Sequence, residues 1–163
     1  RRLGDRTPTA ARVVPVAVDL ALEPLAPALE AGGLDLRAPT TWVWEGVVPY
    51  LTTDAVRATT AQVAALSAPS SRLVVNYQAA SPSLTFIRSL MMVVWRVARQ
   101  SHPMAAEPWR STWRPDEMRI MLGDHGFDVA SDDDLLTLSA GLDLPLGNGA
   151  SLRNGRVAVA ARR

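Results

Sequence analysis

The alternation of short apolar runs with segments of helical spacing is the feature that most constrains this chain. Runs rich in Val, Trp and Thr predict five strands, near 13–18, 40–45, 72–77, 127–131 and 156–161. Between them lie segments with helix signals, at 24–33, 52–66, 84–99 and 114–124. Strands that alternate with helices favour an α/β fold with a mostly parallel sheet, and we therefore predict that architecture.

Length and composition bound the class of protein. A chain of 163 residues fits one domain, and 48% hydrophobic with 20% charged residues excludes a wholly disordered protein. The 17 basic residues, all arginine, nearly balance 16 acidic ones, which argues against a nucleic-acid binder. The absence of cysteine excludes disulfides, thiolate zinc sites and a cysteine nucleophile. Because only two histidines are present, we expect no metal site.

No stretch of the sequence has the pattern of a targeting or membrane segment. The chain starts at Arg1 without a secretory signal. Its longest apolar run, at 84–98, contains Arg88 and Arg96 and is too short to cross a bilayer comfortably. We therefore expect a soluble, cytoplasmic protein that does not bind membranes.

Two carboxylates stand where predicted strands end. In open α/β sheets, ligands bind outside the carboxyl ends of the strands. Asp19 and Leu20 follow the run at 13–18, and such a pair can recognise adenine: the carboxylate accepts from the exocyclic amine and the next backbone N–H donates to a ring nitrogen. An Asp at this position can equally cap the turn between a strand and a helix.

The end of the second predicted strand is more distinctive. Glu45 and Gly46 follow it directly, and Tyr50 comes four residues later. This combination places a carboxylate, a flexible backbone step and a phenol in one corner, where the carboxylate can pair with an ammonium group of a ligand. The alternative is that Tyr50 is a core aromatic residue whose hydroxyl group bonds to the backbone.

Four motifs resemble one family. The segment at 39–51 reads PTTWVWEGVVPYL and resembles the "PTxWxxEGxxxYL" block of class I S-adenosylmethionine-dependent methyltransferases of the leucine carboxyl methyltransferase type, which include actinobacterial O-methyltransferases. Three weaker matches follow the family's order: "VxVDL" at 16–20, "LSAPGSRL" at 66–73 and "EPW…HGF" at 107–109 and 125–127. The resemblance runs from about residue 13 to the C-terminus.

The resemblance implies a Rossmann-like class I methyltransferase fold and a role for each motif residue. Asp19 and the backbone of Leu20 would hold the adenine of S-adenosylmethionine. Glu45 and Gly46 would lie beside the methionine end of this cofactor. Tyr50 would line the active-site side of the pocket and is the candidate catalytic residue.

The irregular segment at 84–113 is the expected substrate or cap segment. Trp109, with Trp95 and Trp113, could wall an apolar acceptor pocket. Arg110, or Arg114 just beyond the segment, could pair with a carboxylate of the substrate. The alternative is that the tryptophans pack the cap and the arginines are solvated. We predict a small-molecule methyl acceptor and no nucleic acid as the partner.

The family's reaction is an in-line displacement in which an oxygen of the acceptor attacks the sulfonium methyl group. A carboxylate acceptor is already ionised near neutral pH, so the reaction needs approach geometry and exclusion of water rather than a base. The shortage of histidine therefore does not argue against methylation of a small-molecule carboxylate. The competing hypothesis is a non-catalytic, partial or decayed Rossmann-like module that acts as a binding fragment.

The chain departs from the family at its beginning. In the family, a glycine-rich first-strand motif and an acidic second-strand end precede the "VxVDL" block, whereas here Gly4 stands alone before that block. In the family's sheet order, 3-2-1-4-5-7-6, the predicted strand at 13–18 would therefore lack its neighbours. We expect residues 1–163 to be the C-terminal portion of a single methyltransferase domain.

Residues 1–163 alone are expected to bind S-adenosylmethionine weakly and to transfer no methyl group. Without the glycine-rich turn and the ribose-binding carboxylate, several hydrogen bonds are lost, each worth about 0.5–1.5 kcal/mol net. The expected loss is about 3–5 kcal/mol, equivalent to about two to four decades of affinity. Calorimetric titration of the purified chain measures this loss. Micromolar binding with measurable turnover would show instead that these residues hold a complete cofactor site.

Overall fold

The computed structural model describes residues 10–20, 22–80, 109–144 and 150–163. The strands are β1 (Thr41–Trp44), β2 (Arg72–Gln78), β3 (Phe127–Asp134) and β4 (Gly155–Arg162). The helices are α1 (Leu25–Ala31), α2 (Thr53–Ala65), α3 (Pro115–Asp124), α4 (Leu135–Gly141) and α5 (Ala150–Asn154), and a short 3₁₀ helix covers Val48–Tyr50. The helix predicted at 84–99 and most of the predicted cap segment lie outside the described residues.

The four strands form one sheet in the order β1-β2-β4-β3. β1 pairs with β2 in parallel, with Thr41 opposite Arg72, whereas β4 runs antiparallel to both β2 and β3. This order agrees with the last four positions of the family's sheet, 4-5-7-6. Three of the four described strands, β1, β2 and β3, therefore run in the same direction, as the prediction of a mostly parallel sheet requires, and β4 alone among them is reversed.

Four of the five predicted strands are confirmed, and the one at 13–18 is wrong. No strand of the described sheet lies beside residues 13–18, so their backbone groups have no ladder to join. Val13 and Val14 are 59% and 41% exposed. The segment lies instead near the end of α1, where the Arg12 guanidinium donates to the carbonyl of Gly32 at 3.3 Å. An apolar, β-branched run forms a strand only where a neighbouring strand pairs with it.

The helices cover one face of the sheet. Leu73, Val75 and Tyr77 alternate along β2 and are each 1% exposed, as expected for the core-facing side of a strand. Val43, which points to the opposite face of β1, is 67% exposed. The core on the covered face also contains side chains from α2, α3 and β4: Val56, Val63, Met118, Met121, Leu122, Ala158 and Ala160.

The predicted start of α2 is confirmed. The side chain of Thr52 accepts a hydrogen bond from the backbone N–H of Ala55 at 3.2 Å and so caps the helix. At the other end, the Trp42 indole donates to the Ser67 hydroxyl at 2.8 Å, and that hydroxyl donates to the carbonyl of Val63 at 2.6 Å. These bonds fix the helix against β1.

The acidic residues at 132–134 have two different roles. In the sequence, such a run predicts a solvated turn or a helix start, and Asp134 does cap α4 by accepting from the Thr137 N–H at 2.8 Å. That backbone hydrogen bond lowers the pKa of Asp134. For Asp132 the prediction is wrong, because it lies within β3 and its side chain is only 5% exposed.

Asp132 is buried because it joins a network that crosses three strands. The Tyr77 hydroxyl donates to its Oδ2 at 2.7 Å, and Arg156 Nε donates to its Oδ1 at 2.9 Å. Arg156 also donates to the Asp132 carbonyl at 2.6 Å. Burial raises the pKa of Tyr77, and the hydrogen bond to the Asp132 carboxylate raises it further. The network thus fixes β2, β3 and β4 to one another.

Removal of the buried carboxylate should destabilise the fold far more than removal of an exposed one. In the Asp132→Ala variant, the buried Arg156 charge loses its partner, and we expect a cost of about 3–5 kcal/mol in the free energy of unfolding. Asp128→Ala is the matched control, because Asp128 pairs with Arg163 at 2.8 Å on the surface and such pairs contribute at most about 1 kcal/mol. Denaturant unfolding compares the two, and equal losses would contradict the assignment.

Tyr77 should make the fold sensitive to alkaline pH. An unfolded tyrosine ionises near pH 10, at about its reference pKa, whereas folded Tyr77, whose pKa is raised, keeps its proton. The folded state then binds more protons, so the free energy of unfolding falls as the pH rises above about 10. Unfolding at a series of pH values from about 9 to 11 should show a shallower decline in Tyr77→Phe than in the unchanged protein. The same decline in both proteins would exclude this role.

Candidate functional site

The turn after β1 leaves a carboxylate and an open backbone at the carboxyl edge of the sheet. Glu45 is exposed, and none of the described residues pairs with its carboxylate. Gly46 has φ +70°, a conformation that side chains disfavour. A Cβ added to Gly46 would meet no atom of the described residues within 4 Å. Among these residues, a ligand therefore has room beside the Gly46 backbone, within reach of the Glu45 carboxylate.

The Asp19–Leu20 pair lies in a turn rather than at the end of a strand. The Glu23 N–H donates to the Asp19 carbonyl at 2.8 Å, and the Asp19 N–H donates to the Glu23 carboxylate at 2.7 Å. The Thr59 hydroxyl of α2 donates to the Leu20 carbonyl at 3.4 Å. Glu23, two residues before α1, thus holds the turn on one side, and α2 holds it on the other.

An apolar cavity of about 150 Å³ borders both predicted cofactor-binding segments, the one at Asp19–Leu20 and the one at Glu45–Gly46. Leu20 lines it from one side, and Trp44, which precedes Glu45, lines it from another. The other lining residues come from α1, α2, β1 and β2: Leu25, Leu29, Trp42, Val43, Thr59, Val63 and Leu73. The Trp44 indole N–H is buried and finds no hydrogen-bond partner among the described residues. The structure therefore brings the Asp19–Leu20 turn and the Glu45–Gly46 turn to the same part of the fold.

A short crosspiece, residues 110–113, ties the carboxyl ends of β1 and β2 together. At one end, the Arg110 N–H donates to the Pro49 carbonyl at 2.6 Å, and the buried Ser111 hydroxyl donates to the Val48 carbonyl at 2.9 Å. At the other end, the Trp113 N–H donates to the carbonyl of Gln78 at 3.0 Å. The crosspiece therefore holds Arg110 next to the 3₁₀ helix that ends in Tyr50.

Arg110 and Tyr50 both present polar groups at this edge. Tyr50 is 40% exposed, so it is not a core aromatic residue. Arg110 is exposed, and within the described part of the chain no carboxylate pairs with its guanidinium. Trp109, which directly precedes it, is half-buried. The structure thus places these three residues together, through the bond from the Arg110 N–H to the Pro49 carbonyl.

Three supporting residues escaped the sequence analysis. In the sequence, Thr59 falls among the apolar residues on one side of α2, and nothing there indicates that its hydroxyl bonds to the Leu20 carbonyl. Ser111 had no sequence pattern that indicates a role, and Glu23 had only its spacing of four residues from Asp19.

In the described ranges, no group of three or more acidic or histidine side chains is placed to hold a metal ion. None of the described helices is both long and apolar enough to cross a membrane.

Comparison with known proteins relates part of the chain to one family. Residues 1–64 match the leucine carboxyl methyltransferase family. All five predicted residues from Asp19 to Tyr50 lie inside the matched segment, whereas Trp109 and Arg110 lie beyond it.

Mycobacterial relatives extend the likeness beyond the matched segment. The chain is 45% identical over 66 residues to a Mycobacterium avium protein assigned as an S-adenosyl-L-methionine-dependent methyltransferase, covering 40% of this chain and 22% of the relative. It is 32% identical over 143 residues to a Mycobacteroides abscessus protein of the same assignment, covering 82% of this chain and 45% of the relative. The chain thus spans less than half the length of these relatives.

Solved structures agree on the fold. A crystal structure of a Thermobifida fusca protein assigned as a methyltransferase superposes with a TM-score of 0.52 at 18% identity, over 80% of this chain and 46% of that one. An O-methyltransferase family 2 protein from Planctomyces limnophilus gives 0.50 at 10% identity, over 90% and 34% of the two chains. The chain therefore has the Rossmann-like class I methyltransferase fold.

Proposed function

We propose that this chain carries cofactor-binding and acceptor-binding residues of an S-adenosylmethionine-dependent O-methyltransferase that acts on a carboxylate of a small molecule. The observation that carries the proposal is the arrangement at the carboxyl edge of the sheet. There, the Glu45 carboxylate is unpaired among the described residues, and Gly46 leaves open space above its backbone. The family relationship supports the same activity.

The residues present fit the proposed cofactor. Glu45 would pair with the ammonium group at the methionine end, since a carboxylate and an ammonium form a strong charge-assisted hydrogen bond. Gly46, whose added Cβ would face open space, lets that end of the cofactor approach the backbone closely. Asp19 would accept from the exocyclic amine of the adenine, and the Leu20 N–H would donate to a ring nitrogen.

The turn that holds Asp19 supports the adenine role. Reciprocal bonds with Glu23 fix the backbone of Asp19, and Thr59 fixes the carbonyl of Leu20. A carboxylate on a preorganised turn binds a ligand without first losing conformational freedom. The apolar cavity beside Leu20 adds a water-poor surface for a planar base.

Bound S-adenosylmethionine supplies a methyl group on a positively charged sulfur. The residues of this chain bring an acceptor oxygen into line with that group and exclude water. Arg110 would pair with the acceptor's negative charge, Trp109 would cover its apolar part, and Tyr50 would line the wall next to the reacting oxygen. No side chain has to remove a proton, because a carboxylate acceptor is ionised near neutral pH.

Cofactor binding in the full-length protein tests this proposal. Asp19→Ala removes a hydrogen bond to a charged group, which should raise the Kd for S-adenosylmethionine by about one to two decades. Glu45→Gln keeps the shape of the side chain but loses the charge, and we expect a loss of similar size. Glu30→Gln, on the exposed side of α1, is the control and should leave the Kd unchanged.

Calorimetry measures the three variants, and release of S-adenosylhomocysteine from a panel of carboxylic acids measures turnover. Unchanged affinity in Asp19→Ala and Glu45→Gln would remove both residues from the cofactor site. A full-length protein that binds no S-adenosylmethionine at all would favour the non-catalytic binding module instead.

A further inference from the structure

The helix α1 begins without a side-chain cap of its own. Pro24 occupies the N-cap position, where Ser, Thr, Asp or Asn normally accepts from a backbone N–H of the first turn. Proline has no side-chain acceptor, and no acidic residue lies in the first turn of α1. The first N–H groups of any α-helix lack partners within the helix. The start of α1 therefore needs an acceptor from elsewhere in the fold.

Gln62 of α2 supplies this acceptor. The backbone N–H of Leu25, the first residue of α1, donates to Gln62 Oε1 at 2.6 Å. Leu25 is only 7% exposed, and Gln62 is half-buried, so the bond lies largely out of contact with water. Gln62 thus caps a helix whose first residue lies 37 positions earlier in the chain.

The same face of α2 also holds the segment that precedes α1. Thr59 lies three residues before Gln62, and residues with this spacing are neighbours on a helix surface. The Thr59 hydroxyl donates to the Leu20 carbonyl at 3.4 Å. Two neighbouring side chains of α2 therefore hold the backbone on either side of the turn, one at Leu20 and the other at Leu25.

The backbone between Leu25 and Asp19 has little freedom of its own. The Glu23 N–H donates to the Asp19 carbonyl at 2.8 Å, and the Asp19 N–H donates to the Glu23 carboxylate at 2.7 Å. Pro24 connects this closed turn to Leu25, and its ring fixes its φ, here −72°. A displacement of Leu25 would therefore move Asp19 as well.

We propose that Gln62 is a positioning residue for adenine recognition: by capping α1, it holds Asp19 where its carboxylate accepts from the exocyclic amine. The inference rests on the proposed function. Gln62 does not line the apolar cavity beside Leu20, so it acts through Leu25 rather than on the base. A hydrogen bond weakens steeply when its angle is distorted, whereas apolar contact with a base is not directional. Loss of the cap should therefore weaken recognition of the amine more than contact with the ring.

Binding of two ligands to the full-length protein tests the proposal: S-adenosylhomocysteine and its analogue in which hydrogen replaces the exocyclic amine. The unchanged protein should bind the first about tenfold more tightly. Gln62→Met replaces the amide by an apolar group at similar length. It should raise the Kd for S-adenosylhomocysteine about threefold to tenfold and change the Kd for the analogue little. Gln62→Glu should restore the preference, because a carboxylate also accepts from a backbone N–H.

The ratio of the two Kd values separates positioning from a general loss of folded protein, since a smaller folded fraction weakens both ligands by the same factor. Thr60→Val is the matched control on α2. Thr60 is buried, and its hydroxyl donates to the Val56 carbonyl of the same helix at 2.9 Å, so the ratio should stay as in the unchanged protein. An unchanged ratio in Gln62→Met, or the same fall in Thr60→Val, overturns the proposal.

A milder variant keeps the test decisive if Gln62→Met does not fold. Gln62→Asn keeps the amide but is one methylene shorter, so it should lose the bond to Leu25 and show the same fall in the ratio; an unchanged ratio contradicts the proposal. A full-length protein that binds neither ligand refutes the proposed function. One that binds both ligands equally well refutes the role of Asp19, and the positioning role of Gln62 with it.

Discussion

The parallel pairing of β1 with β2 is the constraint on which the proposed site depends. Because both strands run in the same direction, the turn after β1 and the end of β2 meet at one edge of the sheet. The pairing has a single workable register, since a slip of one residue would exchange Trp42 and Trp44 with Val43 between the covered and the exposed faces. The hydrogen bond from Trp42 to Ser67 holds this register from the side of α2.

The elements that bury the core also hold the site. α2 covers Leu73 with Val63 and, through Thr59, fixes the carbonyl of Leu20. Trp113, at one end of the crosspiece, is buried in the core, whereas Arg110, at the other end, is exposed. Polar groups that bind a ligand need rigid support, and here the support is the hydrophobic core itself.

The pattern of neighbouring residues predicted most of the helices and strands. The helices at 52–66 and 114–124 and the apolar runs of β1, β2, β3 and β4 were all predicted. The run at 13–18 has the same composition as those strands, yet it forms none, because strand formation depends on a neighbour that composition does not reveal. Asp132 was misjudged for a similar reason: its partners, Tyr77 and Arg156, lie 55 and 24 residues away along the chain.

For the site, the sequence by itself predicted which residues would carry the chemistry: the carboxylates of Asp19 and Glu45, the flexible step at Gly46 and the phenol of Tyr50. Motif spacing suffices for that prediction, because each pair is adjacent or nearly adjacent in the chain. Only the tertiary structure decided that Arg110 lies beside the turn of Tyr50 and that the Thr59 hydroxyl holds the carbonyl of Leu20. Both facts depend on hydrogen bonds between residues distant in sequence, which form only when the sheet and the crosspiece have assembled.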